Sequence, residues 1–261
     1  MKAQVVEISG YLPAIMSLYM TGKNCTLERL DDIRFNIGTS TTKWGFVTEN
    51  CTREFKAYMD KVIKYGVKFE HEAILDFIKI SVFTEGLHRG AQDDFDAHSK
   101  RMDIIRSSTR ANKKSTNKPE ISEWYVEKVL PFFEIPDMPD KLTVNCVNYV
   151  KSSWGYVQED LLNNPDVLRG NVGLSVACDN ISTMSFRNWR HVYHLRRRGT
   201  QAAPEIQDMV EQVREDLYKK CWWLGEYLGK VWTEQGYYER DAVKLVPMEG
   251  SCKGRISETR P

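Results

Sequence analysis

Between Ser185 and Ile206 the chain reads SFRNWRHVYHLRRRGTQAAPEI, and no other stretch constrains the fold as strongly. Five arginines and two histidines fall in a segment whose apolar residues recur at helical spacing, and Gly199 breaks it before a second helix near Glu205. Wound at about 100° per residue, residues 186–198 place Phe186, Trp189, Val192, Tyr193 and Leu195 on one apolar arc. Arg190, Arg197, His194, Arg198 and His191 are expected on the opposite side. Arg196 lands inside the apolar arc, so its guanidinium must snorkel out or meet an anion, because an unpaired buried charge is costly. Arginines and histidines near a helix end suit ligands bearing phosphate, which arginine grips in a bidentate fork. The same pattern also fits a plain solvated basic face.

Charge helps to separate the two. The 37 Lys and Arg offset 36 Asp and Glu to a formal net charge of +1, which argues against a general nucleic-acid binder and leaves only local basic patches. Aromatic residues at 11%, seven of them Trp, indicate a packed core. At 261 residues the chain is expected to form a single domain over 1–261. Six cysteines are scattered with no Cys-x-x-Cys pair, which reads as reduced thiols without a disulfide framework or a metal site. No N-terminal signal or long apolar run occurs, so a soluble, cytoplasmic protein without membrane contact is expected.

Taken in order, Gln4–Ile8 reads as a strand, and residues 12–21 and 26–35 as helices, with Leu27, Leu30 and Ile33 at helical spacing. A polar loop, Gly38–Thr42, precedes a helix from Thr52 that carries Phe55, Met59 and Val62 on one face, with Gly66 as its C-terminal cap. Ile78, Ile80 and Val82 alternate with Lys79 and Ser81 as a half-buried strand does, and Thr84-Glu85-Gly86 is expected to turn the chain into a helix from about residue 87. Residues 111–119 form a basic polar loop, and a long helix from Asp140 carries Val147, Val150, Trp154, Val157 and Leu161. Val172–Val176 reads as a strand. A helix from Pro204 aligns Ile206, Met209, Val210, Val213 and Leu217, and an aromatic helix is expected from Cys221 through Trp232. The tail from Glu249 has the composition of a loosely held terminus.

Several of these pieces together resemble the flavin-dependent thymidylate synthase family. Asn188-Trp-Arg190-His191, then Leu195-Arg196, then Ala202-Ala-Pro-Glu205-Ile206 is similar to that family's C-terminal signature. Glu70-His71, a strand, Glu85-Gly86 and Arg89 follow the family's order, although the strand is several residues longer here. The family motif Arg-His-Arg-x-x-Ser-x-Asn-x-x-Ser-x-Arg is half kept. Its closing Ser-x-Arg stands as Ser108 and Arg110 and one histidine as His98, while Ala97 and Ser99 replace the flanking arginines unless Lys100-Arg101 supplies the charge. The acidic run Asp93-Asp94-Phe95-Asp96 stands where the family often has a neutral Gln.

The resemblance implies an α+β fold of the flavin-dependent thymidylate synthase type, a mixed sheet with long helices, in a homotetramer whose active sites form where subunits meet. It implies transfer of a one-carbon unit from methylenetetrahydrofolate to C5 of dUMP, giving dTMP, with FAD as cofactor and NADPH as reductant. It further implies that Ser108 and Arg110 hold the nucleotide together with Arg190 and with Arg196 or Arg197; of these, Ser108, Arg110 and Arg196 are the catalytic candidates. His71, Asn188 and His194 line the flavin, and His98, Lys100 and Arg101 meet flavin or folate phosphates and carboxylates. The rewritten motif keeps open a pyrimidine nucleotide hydroxymethylase of the same fold. A rival of another class is a non-catalytic protein that binds nucleic acid or a partner through the Arg187–Arg198 face, with steeply salt-dependent binding and no flavin.

Overall fold

The computed structural model describes residues 1–20, 26–98, 102–106, 121–128, 176–233 and 236–239. Four strands, β1 (Lys2–Ser9), β2 (Lys79–His88), β3 (Met102–Arg106) and β4 (Ala177–Ser185), form a sheet in the order β1-β2-β4-β3. The class is α+β. Each ladder of this sheet is antiparallel among the described residues. Helices α1 (Tyr11–Met20), α2 (Leu27–Ser40) and α3 (Arg53–Ile63) follow β1; α4 (Arg89–Asp96) follows β2; α5 (Glu123–Lys128) follows β3. After β4 come α6 (Phe186–Arg196), α7 (Pro204–Lys220), α8 (Trp222–Tyr227) and a hairpin of β5 (Lys230–Thr233) and β6 (Gly236–Glu239).

Side-chain caps set the helix starts. Thr26 accepts from Arg29 N–H at 3.2 Å, Thr52 from Phe55 N–H at 3.1 Å, and Ser185 from Asn188 N–H at 3.2 Å. Each satisfies a donor that the first turn leaves orphaned. Pro204 opens α7, where its missing N–H costs nothing. Val5, Ile80, Val82, Leu87 and Met184 on the sheet share one buried core with Phe186, Trp189, Val192 and Tyr193 of α6 and with Ile206, Met209, Val210, Val213 and Leu217 of α7. Each such side chain withdrawn from water contributes about 1.5–3 kcal/mol.

The free edge of β1 is covered rather than left to pair with another chain. Ala3 N–H donates to Gln212 Oε1 at 2.9 Å and Val5 N–H to Asp216 Oδ2 at 2.7 Å, both from α7. At the start of α1, Gly10 adopts φ +83°, and a Cβ there would stand 1.9 Å from the Phe77 carbonyl oxygen. Only glycine allows this close passage, which brings α1 beside residues 72–77.

Several expected boundaries move. Helix α2 runs on to Ser40, through the first part of the expected 38–42 loop, and Leu27 is exposed while Ile33 is buried. Gly66 is no C-terminal cap: α3 continues into a π-helical turn, Lys64–Lys68, in which Gly66 lies against Leu75. Glu85-Gly86 is not a turn, because β2 runs on to His88 and absorbs Gly86, at φ +72°, in a register shift between Thr84 and Leu87. Of the strand expected at 172–176 only Val176 is among the described residues, where it bridges Ile121 just before β4. The aromatic helix stops at Tyr227, and Val231-Trp232-Thr233, β-branched and aromatic, pair as a strand. The long helix expected from Asp140, the 111–119 loop and the tail lie outside the described residues. Among the described residues no helix is long and apolar enough to cross a membrane.

Candidate active site

The site is built where the 65–77 segment meets the first turns of α6. After the π-helical turn, Glu70 takes φ +59°, an uncommon conformation for a residue with a Cβ, and so reverses the chain to present His71. His71 N–H donates to the Tyr65 carbonyl at 3.0 Å, and its ring stacks on Tyr65 with centroids 6.3 Å apart. Arg187 reaches across from α6, donating from Nε to Glu72 at 2.9 Å and from Nη1 to Asp76 at 3.1 Å. The Ser185 hydroxyl adds a bond to Asp76 at 2.9 Å, so the capping residue of α6 is itself tied to this segment. The hydrogen bond to Asp76, followed by the nearby charges of Asp76 and Glu72, holds the Arg187 guanidinium above its ordinary pKa.

Two clefts adjoin along Glu72 and Arg187. The first, about 700 Å³, is mostly apolar and is bounded by Leu18, Tyr65, His71, Ile74, Phe77 and Arg187 among others. The second, about 410 Å³, is polar and is lined by Glu72, Arg187, Asn188, Arg190, His191, His194 and Val231. Arg190 and His194 are buried, contrary to the outward position expected from the helical wheel. Arg190 Nη2 donates to the Lys230 carbonyl at 2.5 Å, and Nη1 lies 3.9 Å from Glu72. The hairpin strand β5 and the 72–76 segment therefore cover a helix face that polarity alone assigns to solvent. Leu195, expected within the apolar arc, is exposed instead.

Beyond the polar cleft, His191 meets His98 edge to face, with centroids 6.3 Å apart. Arg196 Nε donates to His98 Nε2 at 3.1 Å, and Nη2 pairs with Asp94 at 3.0 Å. An arginine N–H can only donate, so His98 accepts at Nε2 and carries its ring proton on Nδ1. The anion that Arg196 requires is thus partly supplied by the chain itself. Asp94 is held in place because α4 is anchored on both sides. Phe95 packs against Trp189, with centroids 6.2 Å apart, while buried Gln92 accepts from Asn180 at 2.6 Å and donates to Asp96 at 2.9 Å.

Residues 26–221 match the model of the family described as thymidylate synthase complementing protein. The chain belongs to that family. Among solved structures, thymidylate synthase X from Helicobacter pylori with FAD and dUMP aligns with a TM-score of 0.55 at 13% identity, covering 87% of this chain and 99% of the other. A second structure of the same H. pylori enzyme, also complexed with FAD and dUMP, aligns with a TM-score of 0.51 at 13% identity, covering 84% and 96%. At such identity the likeness is one of fold. Among curated protein sequences none matches the chain.

Within this thymidylate synthase complementing protein fold, His71 lines the apolar cleft, and Asn188, Arg190 and His194 line the polar one. His98 and Arg196 are brought into direct contact. Arg197 diverges from Arg196: its guanidinium lies over the Tyr193 ring, 5.9 Å from the centroid. Ser108, Arg110, Lys100 and Arg101 lie outside the described residues. Sequence reasoning missed Glu72, Asp76 and Tyr65, and placed Arg187 only on a basic face. Their signal was weak, since the Glu72–Arg187 contact joins residues 115 apart in sequence.

The signature residue Glu205 has a different position from the clefts. It is fully buried, pairs with the His88 ring, accepts the His88 N–H at 3.1 Å and accepts the Ser122 hydroxyl at 3.0 Å. The first turn of α7 favours a carboxylate there through its free N–H groups. Glu205 therefore acts as a tether between α7, the end of β2 and the segment before α5.

Proposed function

We propose that the protein is a flavin-dependent enzyme transferring a one-carbon unit from methylenetetrahydrofolate to C5 of a pyrimidine deoxynucleotide, a reaction of the dUMP-to-dTMP type, with NADPH as reductant. The observation that carries this reading is the adjoining pair of clefts that gathers His71, Asn188, Arg190 and His194 in a chain of this family. The residues present fit FAD. An apolar cleft with Tyr65, Phe77 and His71 suits a flat ring system, and the polar cleft offers Arg187, Asn188 and His191 to polar and anionic groups. When bound and reduced, FAD supplies the hydride, so the protein's part is binding, orientation and electrostatics.

In this reading His71, Asn188 and His194 hold the flavin, and His98, Lys100 and Arg101 meet phosphates and carboxylates of flavin or folate. Ser108, Arg110, Arg190 and Arg196 position the nucleotide, each charge-assisted bond contributing roughly 1.5–3 kcal/mol. Arg197, over Tyr193, has the weaker claim to such a contact. No cysteine is needed as a nucleophile, and burial pushes the Cys221 thiol up to about 11, the wrong direction for one. The proposal includes a single domain over residues 1–261 acting as a homotetramer, with active sites completed between subunits.

Protein reconstituted with FAD and desalted is expected to keep visible flavin absorbance, and His71→Ala to keep less of it. Colourless wild-type protein that leaves flavin fluorescence unquenched contradicts the proposal.

A further inference from the structure

A third cavity, of about 290 Å³, shares no residue with the two clefts. Tyr65 of the π-helical turn borders the apolar cleft, while Lys64 and Lys68 of the same turn border the third cavity. Side chains alternate along β5, so Val231 borders the polar cleft and Trp232 the third cavity. Trp223 and Tyr227 of α8 and Asp60 of α3 supply its other walls. The Trp223 indole N–H donates to Asp60 Oδ1 at 2.8 Å, which ties that carboxylate to the protein. Lys68 Nζ stands 3.8 Å from the centre of the Trp232 ring, an attraction that holds the ammonium at the cavity wall without neutralising it. Among the described residues neither Lys64 nor Lys68 has an ion-pair partner, so two cations face the cavity against one carboxylate that is already bonded.

We propose that this cavity binds a small aromatic acid, its ring packed among Trp223, Tyr227 and Trp232 and its acidic group held by Lys64 and Lys68. Three aromatic side chains around one small space favour a flat ring through apolar contact and stacking. A ring without charge leaves both ammonium groups uncompensated, and an anion without a ring leaves the aromatic walls unfilled. A ligand with both parts satisfies each wall. The volume stands at the low end of ligand-sized cavities, enough for an acid of one or two rings and far too little for FAD. An ammonium is a point charge with no fork geometry to match, so carboxylate and phosphate serve equally, and the shared chemistry is a compact anion on an aromatic ring.

Calorimetric titration of the full chain at low salt against isophthalate and phenyl phosphate tests this, with glutarate as an acid lacking a ring and benzyl alcohol as a ring lacking an acid. At least one of the two aromatic acids is expected to bind about 10-fold or more tighter than either control, and the one that does identifies the anion. Lys68→Gln, at a partly exposed position, is expected to weaken that binding by about 10-fold, and Lys64→Gln, at an exposed one, to weaken it by less. Binding of neither aromatic acid, binding of glutarate or benzyl alcohol as tight as theirs, or an affinity unchanged in both lysine variants overturns the proposal. Lys64 and Lys68 lie outside both clefts, so that failure leaves the flavin and nucleotide reading standing. The wild-type comparison of the four compounds decides by itself should a variant fail to fold.

Discussion

Arg196→Ala is expected to weaken pyrimidine nucleotide binding by about 2–4 kcal/mol, roughly 30- to 1,000-fold. Arg196 is mostly withdrawn from water and oriented by two fixed partners, His98 and Asp94, so little conformational freedom remains to be lost when a ligand arrives. Its removal deletes the donors and the cation that pairs with Asp94. FAD retention should change far less, since His71, Asn188 and His194 line the clefts without it. Arg198 is the control. It sits on the next turn of chain but is 71% exposed and pairs with Asp208 in solvent, so Arg198→Ala should cost well under about 1 kcal/mol. Calorimetry on the three proteins checks this, and equal small losses would reduce the arginines to a charged surface.

The second large effect concerns stability. Glu205→Ala removes a fully buried carboxylate that accepts from the His88 N–H and the Ser122 hydroxyl and pairs with the His88 ring. Each hydrogen bond lost to the charged carboxylate costs about 1.5–3 kcal/mol. The same change also loosens the start of α7, whose side chains cover the edge of β1. Chemical denaturation should show a lower midpoint with a similar slope, because the loss is of stability and not of the surface exposed on unfolding. A midpoint unchanged within error would mean that Glu205 is not the tether described.

Much of the fold was legible where burial on one face imposes a period. Ile80 and Val82 are buried and Lys79 exposed along β2, although Ser81 is buried as well beside Thr183, and Phe186, Trp189, Val192 and Tyr193 are buried along α6, as their spacing requires. Strand β4 was not legible, because its inward residues include Asn180 and Ser182, polar side chains that erase the alternation. Nor was the burial of Arg190 and His194. A single helix carries no record of what packs on its far side, here the 72–76 segment and the Lys230 carbonyl. The chemistry-bearing types were readable one by one, and His98 with Arg196 are in contact as well as in the same motif set. The partners that orient them, Glu72, Asp76 and Asp94, come from distant segments, and short acidic residues next to a histidine or within an acidic helix give no sign of which arginine they will meet. The acidic run at 93–96 was visible as a departure from the family pattern, and its meaning came only with the Asp94–Arg196 contact.

Substitution at C5 of a pyrimidine must expel the hydrogen at C5, whether the product is methylated or hydroxymethylated. The most direct measurement is therefore tritium release from dUMP and dCMP labelled at C5, with FAD, NADPH and methylenetetrahydrofolate supplied together and withheld one at a time. Release into water is expected from at least one of the two nucleotides, abolished when FAD or methylenetetrahydrofolate is left out and strongly reduced in Arg196→Ala. Complete retention of tritium in both nucleotides by protein that binds FAD would contradict it.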